Sequence, residues 1–114
     1  YKGILLTESG VEKDNLERAK KEILNQLDCI KKGNFTEDEL DDTKKYLVQA
    51  FEKIDDSLSA LNGWYVSQAV SPKVYTPQEY IRHLNGVTRD EVIEAANDVT
   101  LDTIYTLTGK EGNK

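Results

Sequence analysis

Apolar residues recur every seven positions through the middle of the chain, and this spacing predicts one long amphipathic helix. The stripe is formed by Leu40, Leu47, Ile54 and Leu61. Charged residues occupy the other side, so a broad apolar face is left for packing against a second helix. We therefore predict a helix over residues 37–70, with a kink or break near Asn62 and Gly63, because an unbroken helix of this length is several times the average.

Residues that favour a helix start stand immediately before the stripe. The Thr36 hydroxyl can accept a hydrogen bond from the Glu39 backbone N–H, while the Glu39 carboxylate accepts one from the Thr36 N–H. The same two residue types recur three positions apart at Thr76 and Glu79 and at Thr88 and Glu91. These repeats predict two further helices, over residues 77–85 and 89–98.

The N-terminal third also carries a helical apolar face, formed by Leu16, Ala19, Ile23, Leu27 and Ile30. Ser9 and Asp14 are alternative caps for its start, and Gly33 suits the left-handed position after its last turn. We predict a helix over residues 11–32. The connection to the next helix is three residues long, which predicts an antiparallel hairpin of the two helices.

Short runs at both ends of the chain favour strands. Residues 3–7 are apolar and bounded by glycine, and residues 101–108 are rich in β-branched and aromatic side chains. The predicted fold class is α+β, in the order strand, long helical hairpin, two short helices, strand, within one domain fragment over residues 1–114. Two strands do not form a stable sheet, so we expect further strands beyond these residues, and exposed edges that favour a homodimer.

Composition narrows the classes of function. The 114 residues carry 15 Lys and Arg against 21 Asp and Glu, a formal charge of -6, which argues against nucleic-acid binding. No apolar run is long enough for a membrane span. The single Cys29 excludes an internal disulfide and fits a reducing cytoplasm. The chain starts at Tyr1 and contains no methionine, so we expect a fragment of a longer protein.

Few residues offer catalytic chemistry. His83 is the only histidine, so neither H-E-x-x-H nor H-x-x-E-H is present, and we expect His83 on the surface or at a helix end. Cys29 is expected to be a partly buried apolar residue and not a nucleophile, since it is far from a helix N-terminus and has no obvious base. A cluster of acidic residues suits a helix start better than a calcium loop. Its members are Glu37, Asp38, Glu39, Asp41 and Asp42.

Aromatic residues are the remaining candidates, because they concentrate both in cores and at interfaces. Core packing is the favoured role, and Trp64 and Tyr65 are the pair of greatest interest, since they lie near the expected helix break. We predict no catalytic, cofactor-binding or metal-binding residue within this chain.

Several of these runs together resemble the C-terminal half of a domain from the pitrilysin/insulinase zinc peptidase family, in its bacterial processing-peptidase-like branch. The matching runs are Gly10 to Asn15, Lys31 to Gly33, Phe35 to Leu40, Lys44 to Leu47, Val87 to Val92, Ala95 with Ala96, and Thr103 to Leu107. The resemblance implies part of a larger α/β sandwich domain, the last of the parent protein, which lines a chamber around an unfolded peptide. That branch also includes members thought to be inactive partners.

The same resemblance implies where the chemistry of the parent lies. Zinc is expected only in the first domain of the parent or in a partner subunit, with no cofactor in this chain. The chain alone is then not an enzyme, although the parent is a candidate zinc metalloendopeptidase. Expected partners are other domains of the parent or a homologous subunit, and peptide substrate through the parent. The alternative is a helical protein-protein interaction module or an inactive partner subunit.

Overall fold

The structure, a computed structural model, describes residues 3–109 and contains five α-helices there. The helices are α1 (Leu16–Lys31), α2 (Glu37–Glu52), α3 (Leu58–Ser67), α4 (Pro77–Asn85) and α5 (Arg89–Asn97), and a 3-10 turn over Lys13–Asn15 precedes α1. The chain divides into two compact units. One contains Phe35–Val92, and the other contains the residues up to Asn34 together with those from Ile93 onward.

The two predicted strands are wrong, and with them the α+β fold class and the sandwich that the resemblance implied. Among residues 3–109 the structure contains no strand, and residues 3–7 and 101–108 are irregular. Their side chains lie open to solvent, with Ile4 78% and Leu107 83% exposed. A strand exists only through hydrogen bonds to a neighbouring strand, and high β-propensity cannot replace that neighbour.

The long helix over residues 37–70 is interrupted earlier than predicted. It ends at Glu52, a turn follows, and α3 continues without a break through Asn62 and Gly63. The Ser57 hydroxyl accepts the Ala60 N–H at 3.3 Å and caps the new helix. Aspartate and serine compete for backbone hydrogen bonds and so favour caps over helix interiors, which explains a break at residues 53–57.

The three predicted helix starts of the Thr-x-x-Glu type are confirmed. The Thr36 hydroxyl accepts the Glu39 N–H at 3.1 Å, and the Glu39 carboxylate accepts the Thr36 N–H at 2.8 Å. The same reciprocal hydrogen bonds join Thr76 to Glu79 and Thr88 to Glu91. In each case side chains satisfy backbone donors that have no partner within the helix.

The end of α1 agrees with the prediction better than its beginning does. The helix begins at Leu16, five residues later than predicted, and neither residue proposed as its cap, Ser9 or Asp14, is at its N-cap position. Its end follows the prediction, because Gly33 takes a positive φ of 71°. The Asn34 N–H donates to the Cys29 carbonyl at 2.8 Å, which completes a Schellman motif.

Within the unit that contains Phe35–Val92, α2 packs against α4. The Lys44 ammonium group donates to the carbonyls of Asn85 and Val87, at the C-terminal end of α4, where the helix dipole favours a cation. Arg89 packs its guanidinium 4.4 Å from the centre of the Phe35 ring and lies 3.6 Å from the Glu37 carboxylate. The predicted packing of α1 on α2 and the single domain over residues 1–114 stay predictions.

In the other unit, the end of α1 is fixed by residues near the end of α5. The Lys31 ammonium group donates to the Val99 carbonyl, and the Asn97 side chain donates to the Lys31 carbonyl at 3.0 Å. Ala96, on the same stretch, is 8% exposed. These contacts satisfy carbonyl groups left without an intrahelical partner.

Replacing Thr36 with alanine is expected to lower the free energy of unfolding by about 1 kcal/mol, because the cap of α2 is lost. Urea denaturation followed by circular dichroism measures the change. Thr43→Ala is the matched control, since it removes the same atoms from an exposed position inside α2. An equal loss of stability in both variants would contradict a capping role for Thr36.

Candidate functional site

Three aromatic rings from three helices meet in the Phe35–Val92 unit. Phe51 of α2, Trp64 of α3 and Tyr80 of α4 pack edge to face, with centroids 5.6 Å apart for Phe51 and Trp64, 5.1 Å for Phe51 and Tyr80, and 5.3 Å for Trp64 and Tyr80. This arrangement is the preferred one for aromatic pairs. We call these three residues the aromatic cluster. The three rings pack against one another, but Tyr80 stays 44% exposed, so the cluster is not the closed core that was predicted.

The aromatic cluster positions the segment that leads into α4. The Trp64 indole N–H donates to the Tyr75 carbonyl at 2.8 Å. The Gln68 amide holds the same residue from both sides, since its nitrogen donates to the Tyr75 carbonyl at 3.1 Å and its oxygen accepts the Tyr75 N–H at 2.8 Å. Both backbone polar groups of Tyr75 are therefore satisfied by side chains, which fixes the position of its backbone.

A cleft of about 330 Å³ opens beside Tyr75, between the residues before α4 and the helix itself. It is lined by Lys73, Val74, Tyr75, Glu79, Arg82 and His83, which we call the basic cleft. The Tyr75 and His83 rings pack edge to face at 5.0 Å, and the Lys73 ammonium group lies 5.0 Å from the Tyr75 centroid. Positions 79, 82 and 83 share one face because they are three and four residues apart on a helix.

The one carboxylate of the basic cleft already has partners. The backbone N–H of Thr76 donates to Glu79, and so does the Thr76 hydroxyl. These hydrogen bonds, with a smaller contribution from the nearby Arg82 and His83, lower the pKa of the Glu79 carboxyl. Glu79 is therefore ionised at neutral pH and is held as a capping residue of α4.

The other residues singled out in the sequence are found at ordinary helix positions. His83 is exposed in the last turn of α4, and Cys29 is a free, partly buried thiol on α1, as predicted for both. The acidic residues 37–39 form the first turn of α2, as predicted. Tyr65 is 40% exposed and lies beside Trp64 inside α3, away from the helix break.

No group of three or more potential metal-ligating side chains comes together anywhere in residues 3–109. The same residues include no helix that is both long and apolar enough to cross a membrane. The absence of catalytic, cofactor-binding and metal-binding residues in this chain stays a prediction.

Comparison with known proteins gives one relative. The chain is 30% identical over 112 residues to the probable inactive metalloprotease YmfF of Bacillus subtilis (strain 168). The match covers 98% of this chain and 26% of that protein, so the chain spans about a quarter of the length of its relative. No family model matches the chain, and no solved structure matches it. The similarity supports the metallopeptidase-like assignment in this general form.

Lys73 and Arg82 were not predicted from the sequence to belong to a site. They are nine positions apart, and only the folding of the residues before α4 onto its face brings them together beside Tyr75. One available indication was the local excess of basic residues between positions 73 and 83 in an acidic chain. Periodicity alone could not reveal the cleft, because half of its lining lies outside any helix.

Proposed function

We propose that this chain is a noncatalytic part of a pitrilysin/insulinase-type zinc metallopeptidase, or of an inactive homologue, and forms part of the wall of a peptide-enclosing chamber. The observation that carries the proposal is the similarity, over 98% of the chain, to a protein named as a probable inactive metalloprotease. The parent would act in proteolysis or peptide processing in the cytoplasm.

The inventory of reactive side chains supports a noncatalytic role. A catalytic zinc site uses three protein ligands, usually with at least one histidine, and keeps one position open for water. The chain has one histidine, on α4, and one cysteine, on α1. We therefore propose that zinc, where the parent binds it, is held by its first domain or by a partner subunit.

The exposed apolar surface supports a role as one part of a larger protein. In the Phe35–Val92 unit, Leu58 is 88% exposed, Val66 64% and Val70 83%. Exposed apolar side chains of this size gain free energy when another protein or domain covers them. The proposed occupants are other domains of the parent or a homologous subunit.

The purified 114-residue chain is expected to leave an unfolded fluorogenic peptide uncut in the presence of zinc. Thermolysin, assayed in parallel, controls for the substrate and the metal, and a chelator defines the metal-dependent rate. Chelator-sensitive cleavage that is lost in His83→Ala would contradict the noncatalytic assignment, because it would place a metal-dependent site in this chain.

A second candidate function is a helical interaction module or an inactive partner subunit, and the exposed side chains of α3 and the residues after it favour it. Self-association into a homodimer through these side chains is one form of this alternative. The reading frame that encodes the chain separates the two functions. An H-x-x-E-H motif in the same protein or in a homologous subunit supports the peptidase assignment, whereas an unrelated neighbouring domain supports the interaction module.

A further inference from the structure

The charge of the basic cleft is opposite to that of the whole chain. The cleft contains two permanent cations, Lys73 and Arg82, and an imidazole, against the single carboxylate of Glu79, in a chain with a formal charge of -6. Arg82 and His83 lie in the last turn of α4, where the helix dipole favours cations. Lys73 lies outside the helix, so the dipole does not explain why the three basic groups meet.

Arg82 and His83 lie close enough to the Glu79 carboxylate to interact with it electrostatically, but this single carboxylate leaves the cleft with an excess of cationic groups. Neither Lys73 nor Arg82 forms an ion pair with a carboxylate of residues 3–109. The Glu79 carboxylate lies in the same cleft, but one of its oxygens accepts both hydrogen bonds from Thr76. Both side chains therefore keep donors for an anion from outside the chain.

The surface at Tyr75 and Val74 is partly apolar, and hydrogen bonds hold the backbone of Tyr75 in place. Tyr75 is held through its backbone by Gln68 and Trp64, and its ring packs against His83. Val74, next to it, is 54% exposed. A ligand with a carboxylate and an adjoining apolar side chain would match this surface, because the charge can meet the cations while the apolar part covers Val74 and the ring.

We propose that the basic cleft binds an acidic peptide segment, with Lys73 and Arg82 donating to a glutamate or aspartate carboxylate and Tyr75 and Val74 contacting the neighbouring side chain. Arginine favours carboxylates because its planar guanidinium can donate two parallel hydrogen bonds. The cleft is wide open to solvent, which suits one or two side chains of a peptide that lies across the surface. The proposal rests on the cleft alone and does not depend on the proposed peptidase family.

The charge of the chain favours a peptide over a nucleic acid. A polyanion gains affinity from many phosphate contacts at once, and an extended nucleic acid would meet the surrounding negative charge of a chain at -6. One peptide carboxylate needs only the two cations of the cleft. A short single-stranded oligonucleotide is therefore the appropriate competitor in the test.

The test titrates the 114-residue chain with acetyl-Glu-Leu-Glu-amide and, separately, with acetyl-Gln-Leu-Gln-amide. Amide nitrogen-proton spectra report shifts at Tyr75 and Arg82, and the single tryptophan, which contacts Tyr75, gives an independent fluorescence signal. We expect the glutamate peptide to bind and to shift these positions, and the glutamine peptide to bind about a hundredfold more weakly, because loss of the carboxylate charge weakens its contacts with both Lys73 and Arg82.

Substitutions within and outside the cleft complete the test. Lys73→Gln and Arg82→Gln are each expected to weaken binding of the glutamate peptide about tenfold. Lys45→Gln makes the same change of charge at an exposed position of the same unit, outside the cleft, and is expected to leave binding unchanged. Circular dichroism confirms that each variant is folded.

Four results would overturn the proposal. They are equal binding of the two peptides, an equal loss in Lys45→Gln, tighter binding of an eight-residue oligothymidylate than of the glutamate peptide, and no shift at Tyr75 or Arg82 at millimolar peptide. The absence of peptidase activity has no bearing on these measurements, so the failure of one proposal is distinguishable from the failure of the other.

Discussion

Trp64→Ala is expected to lower the free energy of unfolding by about 3 kcal/mol, at the lower end of the range for large aromatic residues because Trp64 is only partly buried. The substitution removes two edge-to-face ring contacts, with Phe51 and with Tyr80. It also removes the indole donor to the Tyr75 carbonyl. Since Trp64 joins α2, α3 and α4, its loss affects all three helices together.

Two further variants separate these contributions in urea unfolding followed by far-ultraviolet circular dichroism, which does not depend on the tryptophan itself. Trp64→Phe keeps a ring but loses the donor, and we expect a loss of about 1 kcal/mol from the missing hydrogen bond. Tyr65→Ala removes the adjacent ring, which is 40% exposed and lies outside the aromatic cluster. If Tyr65→Ala and Trp64→Ala had the same urea midpoint, the cluster would not be the centre of this unit.

Local helix chemistry could be predicted from the sequence because it involves residues three or four positions apart. The cap between Thr36 and Glu39 and the left-handed Gly33 are examples, and both are confirmed. Each depends only on the preferences of one turn of backbone. The break after Glu52 was harder to place, because the sequence offers two candidate positions. Gly63 was the expected one, but it lies inside α3, and the break occurs at the three polar residues before that helix.

The strands were predicted wrongly because a strand forms only when it hydrogen-bonds to a neighbouring strand. The runs over residues 3–7 and 101–108 have the composition of strands, but pairing depends on a neighbour that composition does not reveal. A larger parent protein, as proposed, would explain why apolar runs such as these lie exposed. The observed irregular backbone gives no support to the sandwich fold that the resemblance implied.

The residues of the basic cleft were also difficult to predict, because they meet through contacts between residues more than one helical turn apart in the sequence. The sequence drew attention to Trp64, which supports the cleft through Tyr75, but it gave no reason to join Lys73 with Arg82. The Gln68 amide fixes the backbone of Tyr75, which lies between them in the sequence and lines the same cleft. Long-range hydrogen bonds of this kind follow no period along the chain, and a structure is needed to find them.

Leu47→Ala is expected to lower the free energy of unfolding by about 2 kcal/mol, toward the smaller end of the range for core leucine residues, because its side chain is half-buried. Leu47 belongs to the apolar stripe that recurs every seven positions. It lies on α2, which packs against α4 in its unit. The truncation removes apolar contacts and leaves a space that neighbouring side chains fill only in part. Urea denaturation measures the change in midpoint.

Tyr46→Ala is the matched control for the apolar stripe, since Tyr46 is the adjacent residue on α2 and is 72% exposed. Surface substitutions of this kind usually change stability by less than about 0.5 kcal/mol. A large difference between the two variants would show that the stripe read from the sequence is the buried side of α2. Equal midpoints for wild type and Leu47→Ala would instead mean that this face is covered only when the chain packs against a partner, because an uncovered leucine contributes little to folding.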